Sequence, residues 1–153
     1  MSHSRFGKYF DDFVIGESYA HWPGKTITES DNNLFCLLTM NHHPIHLDHN
    51  YASKAKYNKV MVAGTLTFSL VVGLTVADIS GAAIANLGYD QVRHISPVFI
   101  NDTIYAHSKI IDKRQSSGEK KHGVVMIETI AKNQQDVEVL SFRRSILVSL
   151  THP

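Results

Sequence analysis

Val60-Met61-Val62-Ala63-Gly64-Thr65-Leu66-Thr67-Phe68-Ser69-Leu70-Val71-Val72-Gly73-Leu74-Thr75-Val76-Ala77 contains no charge and ends at Asp78. Its length meets the threshold at which a helix can cross a bilayer. However, Gly64, Thr65, Thr67, Ser69, Gly73 and Thr75 interrupt it, and no Trp or Tyr flanks it directly, Tyr57 lying closest. A helix buried all round in a soluble core produces the same pattern. The expectation is therefore a central helix over Gly64 to about Asp78, with no membrane span.

The surroundings of this helix set the fold class. Upstream, Phe10 to Ser18 reads as a docking segment, with Phe10, Phe13 and Ile15 as anchors and Gly16 as a turn. Thr26-Ile27-Thr28 is a short strand candidate. Thr28 or Ser30 can cap a helix running to about Thr39, with Leu34, Leu37 and Leu38 on its apolar face. Pro44 stops that helix from continuing, and Asp48 is placed to cap a short helix over Tyr51 to Lys56. Downstream, Gly81 to Gly88 reads as a small-residue connection. Four strand candidates follow, over Tyr89–Ile95, Thr103–Asp112, Gly123–Lys132 and Val137–Leu150. Gln115-Ser116-Ser117-Gly118 and Asn133-Gln134-Gln135-Asp136 are turns between them. In the last strand Leu140, Phe142, Ile146 and Val148 share a face that Arg144 interrupts. One apolar helix plus an antiparallel meander is an α+β arrangement.

Length and composition narrow the function classes. The chain has 153 residues, 43% hydrophobic and 19% charged, which fits one globular domain spanning 1–153. A net charge of +1 leaves no electrostatic footprint for nucleic acid. Cys36, the single cysteine, lies among Leu34, Phe35, Leu37 and Leu38 and reads as a buried structural thiol. The N-terminus lacks an apolar core for a secretory signal, so a cytoplasmic location is expected.

The chemistry concentrates in Met40-Asn41-His42-His43-Pro44-Ile45-His46-Leu47-Asp48. Histidines 42, 43, 46 and 49 invite a metal, but Pro44 prevents the continuous helix that would align His42 with His46, and neither Cys nor Glu lies nearby. No metal is expected. The segment resembles the motif Gly-Asp-x-Asn-Pro-Ile-His-x-Asp of the MaoC-like dehydratases, the R-specific enoyl-CoA hydratases. Met40, Asn41 and His43 replace its Gly, Asp and Asn. Thr39-Met40-Asn41 is similar to a branch of that family. Pro97-Val98-Phe99 with Asn101-Asp102-Thr103 resembles a second motif, Pro-Val-x-x-Gly-Asp-Thr, and Phe10 to Gly16 also falls within the resemblance.

That resemblance implies a hotdog fold, a sheet wrapped around a long central helix, and a homodimer. It implies lyase chemistry on a 2-enoyl-CoA thioester, with the acyl-CoA as substrate and no cofactor. His46 matches the catalytic histidine, whose ordinary pKa suits acid/base work near neutrality. Asn41 holds the place of a carboxylate that helps activate water; an amide orients water but cannot take its proton. Val62-Ala63-Gly64 matches the helix start that receives the thioester carbonyl, where free N–H groups favour an oxyanion. Phosphates of CoA call for cations at the entrance, for which Lys54, Lys56, Lys59, Arg93, Arg143 and Arg144 are candidates; strand alternation puts the last two on opposite faces. Two rivals remain open: a non-catalytic acyl-CoA-binding subunit, which the Asp-to-Asn replacement favours, and a thioesterase, which would need a carboxylate. No convincing carboxylate for that is visible; Asp31 is a distant one, and a solvated position at a helix start fits it better.

Overall fold

The computed structural model describes residues 6–116 and 121–151. The segment 1–5, and Ser117 and Gly118 of the expected turn, lie outside them. Six antiparallel strands form the frame: β1 (Ser18–Ala20), β2 (Lys25–Thr26), β3 (Ala83–His94), β4 (Thr103–Gln115), β5 (His122–Lys132) and β6 (Glu138–Ser149). Their order is β1-β4-β5-β6-β3, and β2 also pairs with β4, through Lys25–Ile104 and Thr26–Thr103. The long strands arise from strict alternation. Gly123, Val125, Ile127, Thr129 and Ala131 of β5 point inward and are buried, as are Leu140, Phe142, Arg144, Ile146 and Val148 of β6.

Helix α4 (Gly64–Leu74), continued by a π-helical turn over Val76–Ser80, packs on this inner face. Val71 joins Val98, Ile104, Ala106, Ala131, Leu140 and Phe142 in one core cluster. Phe10 and Phe13 join Ile79, Ile110, Val125, Ile127, Ile146 and Val148 in a second. Burying each of these aromatic anchors is worth roughly 1.5–3 kcal/mol. Ile15, expected as a third anchor, is instead 55% exposed, because the chain turns away at Gly16, whose φ is +89°.

Three further expectations are corrected. First, α4 is not buried all round within the chain. Thr67, Val71, Thr75 and Ile79, four residues apart, are buried, while Thr65, Ser69, Gly73 and Ala77 form an exposed stripe. The sheet covers one side only, and small residues occupy the other. Second, Ala83–Gly88 is strand, not connection. Its register with β6 (Ala83–Val148, Asn86–Ile146, Gly88–Ser145) carries it through bulges despite low intrinsic propensity. Third, Leu34, Leu37 and Leu38 of α1 (Glu29–Leu38) face outward, and its buried residues are Asn32 and Cys36. The helix is seated by a polar clamp rather than by its leucines.

The caps are as the sequence suggests. Thr28 accepts from the Asp31 N–H, and Asp31 returns a bond to the Thr28 N–H. Asp48 caps α3, although that helix is His49–Ser53, slightly earlier than expected. Helix α1 ends at Leu38, before Pro44 is reached, and Pro44 opens the next helix as the first residue of α2 (Pro44–Leu47). No helix of the described residues is long and apolar enough to cross a membrane.

Candidate active site

The loop between α1 and α2 turns at Met40, with φ +57°, and the Asn41 N–H is held by the Cys36 carbonyl at 2.9 Å. One turn later, His46 Nδ1 lies 2.8 Å from the Met61 carbonyl oxygen. A carbonyl only accepts, so Nδ1 carries the proton and Nε2 of the neutral ring keeps its lone pair. Among the described residues no protein group claims that nitrogen. The Met61 N–H donates back to Ile45 O at 3.2 Å, so the loop and the approach to α4 are tied in both directions.

Asn32 completes this frame. Its Nδ2 donates to His46 O at 2.9 Å and its Oδ1 accepts from the Ala63 N–H at 3.0 Å. One fully buried amide thus joins the histidine turn to the start of α4. Ala63, the residue before α4, offers no side-chain cap. The N–H groups of Gly64 and Thr65 have no protein acceptor among the described residues, which leaves the positive end of the helix free for an anion.

His46, Tyr57, Val62, Gly64, Thr67 and His94 border a cleft of about 350 Å³. Of the residues expected in the site, His46, Val62 and Gly64 line it. Ala63 is buried, with its N–H consumed by Asn32, and Asn41 is half-buried outside the lining. Among the described residues no carboxylate lines the cleft; Asp31 is engaged by Lys25 at 2.6 Å, which with the Thr28 bonds holds its pKa down to about 2.

Two lining residues escaped the sequence reading. The hydroxyl of Thr67 is buried with no partner among the described residues. His94 packs its ring against Gly64: a Cβ built there would meet Cε1 at 3.0 Å, Nε2 at 3.2 Å and Nδ1 at 3.3 Å. The glycine therefore accommodates an imidazole. The available signal was the place of His94 at the end of a strand, just before the Pro97–Thr103 motif.

Near the cleft, Lys59 stacks over Phe99 at 3.9 Å and Lys56 over Tyr57 at 5.1 Å. Arg143 pairs with Glu128 at 3.0 Å. Arg144 is corrected as an entrance cation: it is 2% exposed and donates to Thr75 Oγ1 at 3.0 Å. Alternation along β6 turns it inward, and burial lowers its pKa. Cys36 is buried, and desolvation raises its thiol pKa, as for a structural thiol. A separate buried network joins His21 to Asp78 (2.7 Å) and Ser108 (2.8 Å), with Thr129 bonded to Ser108. Ser108 is 3% exposed, so this group ties β4 and β5 to the end of the central helix.

Comparison with known proteins places these features. Residues 12–133 match the family described as MaoC like domain. The chain is 35% identical to mesaconyl-CoA hydratase of Cereibacter sphaeroides, over 93% of this chain and 41% of that protein. It is also 35% identical to β-methylmalyl-CoA dehydratase of Chloroflexus aurantiacus, over 96% and 42% respectively. A Mycobacterium tuberculosis protein described as having a double hotdog fold superposes with TM-score 0.85 at 21% identity, over 95% of this chain and 45% of that chain.

Proposed function

The chain belongs to the MaoC-like dehydratase family, and on that premise we propose that it is a hydro-lyase acting on 2-enoyl-CoA thioesters, of the R-specific type. The observation that carries the reading is His46, with its unclaimed Nε2 in the same cleft as the uncapped start of α4. His46 takes a proton from water as the oxygen attacks Cβ. Negative charge moves to the thioester oxygen, where the Gly64 N–H and the helix dipole receive it. A proton then reaches Cα. Val62 shapes the wall beside the carbonyl with Ala63 buried behind it, and Asn41 stands outside the lining, where an amide can orient water but cannot accept its proton. Lys56 and Lys59 meet the CoA phosphates, and no cofactor is required.

The chain spans about two fifths of the length of the curated relatives it matches. Their names favour a short, branched dicarboxylic acyl group. A second copy of this chain is the natural partner: β3 has a free edge among the described residues, and Ile84, Leu87, Val92 and Ile95 are exposed along it. The rival reading, a non-catalytic acyl-CoA-binding subunit, draws on Asn41 lying outside the cleft lining. A thioesterase is disfavoured by the absence of a lining carboxylate.

One experiment separates these readings. His46→Ala should lower hydration of crotonyl-CoA and mesaconyl-CoA by about 10²–10⁴-fold while butyryl-CoA still binds. Asn41→Asp should keep or raise the rate and alter its pH profile. A native protein that binds these thioesters, hydrates none, and gains activity only as Asn41→Asp is the binding subunit.

A further inference from the structure

We propose that His94 is a second acid/base group of this cleft, exchanging the proton at Cα while His46 handles the water. The assignment rests on the hydro-lyase reading above. Hydration of an enoyl thioester takes one proton from water and delivers one to carbon, and among the described residues no carboxylate lines the cleft to share that work. It does contain a second imidazole. His94 ends β3 with its ring against Gly64, the residue whose N–H faces the thioester oxygen in that reading. Cα is bonded to the thioester carbonyl carbon, so a group seated at Gly64 is within reach of Cα, one carbon closer to the carbonyl than the Cβ that receives water.

One other feature fits this division. Neither ring nitrogen of His94 has a side-chain partner among the described residues, whereas Nδ1 of His46 is fixed by Met61 O. One imidazole is thus locked in a single tautomer and the other is free to donate or accept.

The step balances with these groups alone. It begins with His46 neutral and His94 protonated. A water O–H bond breaks as its proton passes to His46 Nε2, and the oxygen–Cβ bond forms. The π pair moves toward the thioester, giving an enolate. The enolate collapses as Cα takes the His94 proton. His46 is then protonated and His94 neutral, and the cleft's opening to solvent lets one proton leave the first and another return to the second. Dehydration runs the same steps in reverse.

The test compares the full-length native protein with His94→Ala and His94→Gln. Both variants should still bind butyryl-CoA but lose about 10²-fold or more in kcat for enoyl-CoA hydration. Added imidazole should restore His94→Ala saturably, because the vacated space lies beside Gly64. Unchanged kcat, or a loss that imidazole does not relieve in a folded variant, overturns the proposal. Should the variants fail to fold, NMR of the native protein's histidine rings decides. On titration with butyryl-CoA, the His94 ring resonances must shift together with those of His46. If only His46 responds, His94 is not at the thioester site. A native protein without hydratase activity refutes the hydro-lyase reading, whichever way the rings respond.

Discussion

Asn32 shows how much one side chain can hold. Its amide serves the His46 carbonyl with one atom and the Ala63 N–H with the other. Removing it strands two backbone groups in a buried site, and each stranded group costs about 1–3 kcal/mol. Asn32→Ala should therefore destabilise the fold by about 2–6 kcal/mol in urea melts and lower kcat, since His46 and α4 lose their common anchor. Asn32→Asp keeps the acceptor but buries a carboxylate oxygen against the His46 carbonyl, and near neutrality should cost at least as much. Little of this was legible beforehand. Residues 32 and 63, or 64 and 94, are some thirty positions apart, and periodicity carries no information about such pairs. His46 was singled out by the resemblance of Pro44-Ile45-His46 to a family motif rather than by periodicity, and Arg144 was legible as an interruption in an otherwise apolar face. Its inward orientation follows from alternation alone.

At the scale of elements, α1 depends on its first turn. Asp31 bonds to the Thr28 N–H and to Lys25, and these contacts lower its pKa to about 2. A lowered carboxyl pKa means that the unfolded chain takes up the proton first on acidification. The contribution is complete above the unfolded value of about 3.9 and is lost as pH falls through about 2. Thermal melts should show the native protein losing this increment between those limits. Asp31→Asn should be less stable near neutrality and lack that part of the acid dependence. Elements with local signals, such as the Thr28 and Asp48 caps and the alternation of β5 and β6, were readable from the chain. The first half of β3 was not, because Ala, Asn and Gly there become strand only through pairing with β6.

For the whole molecule, the α+β class and antiparallel sheet follow from the order of patterns, but the open side of α4 does not. An uncharged helix looks the same in sequence whether its outer stripe is covered or bare. The free edge of β3 and its exposed apolar residues should be closed by a second copy. Sedimentation should give a dimer, and Leu87→Lys with Val92→Lys should shift it to monomer, since charges on an edge strand oppose pairing. The strand that offers this edge also ends in His94, whose ring rests on Gly64. Association and turnover would then be governed by the same few residues. Specific activity should fall on dilution with the midpoint of dimer dissociation, so that the abundance of the protein itself would set how fast each molecule works.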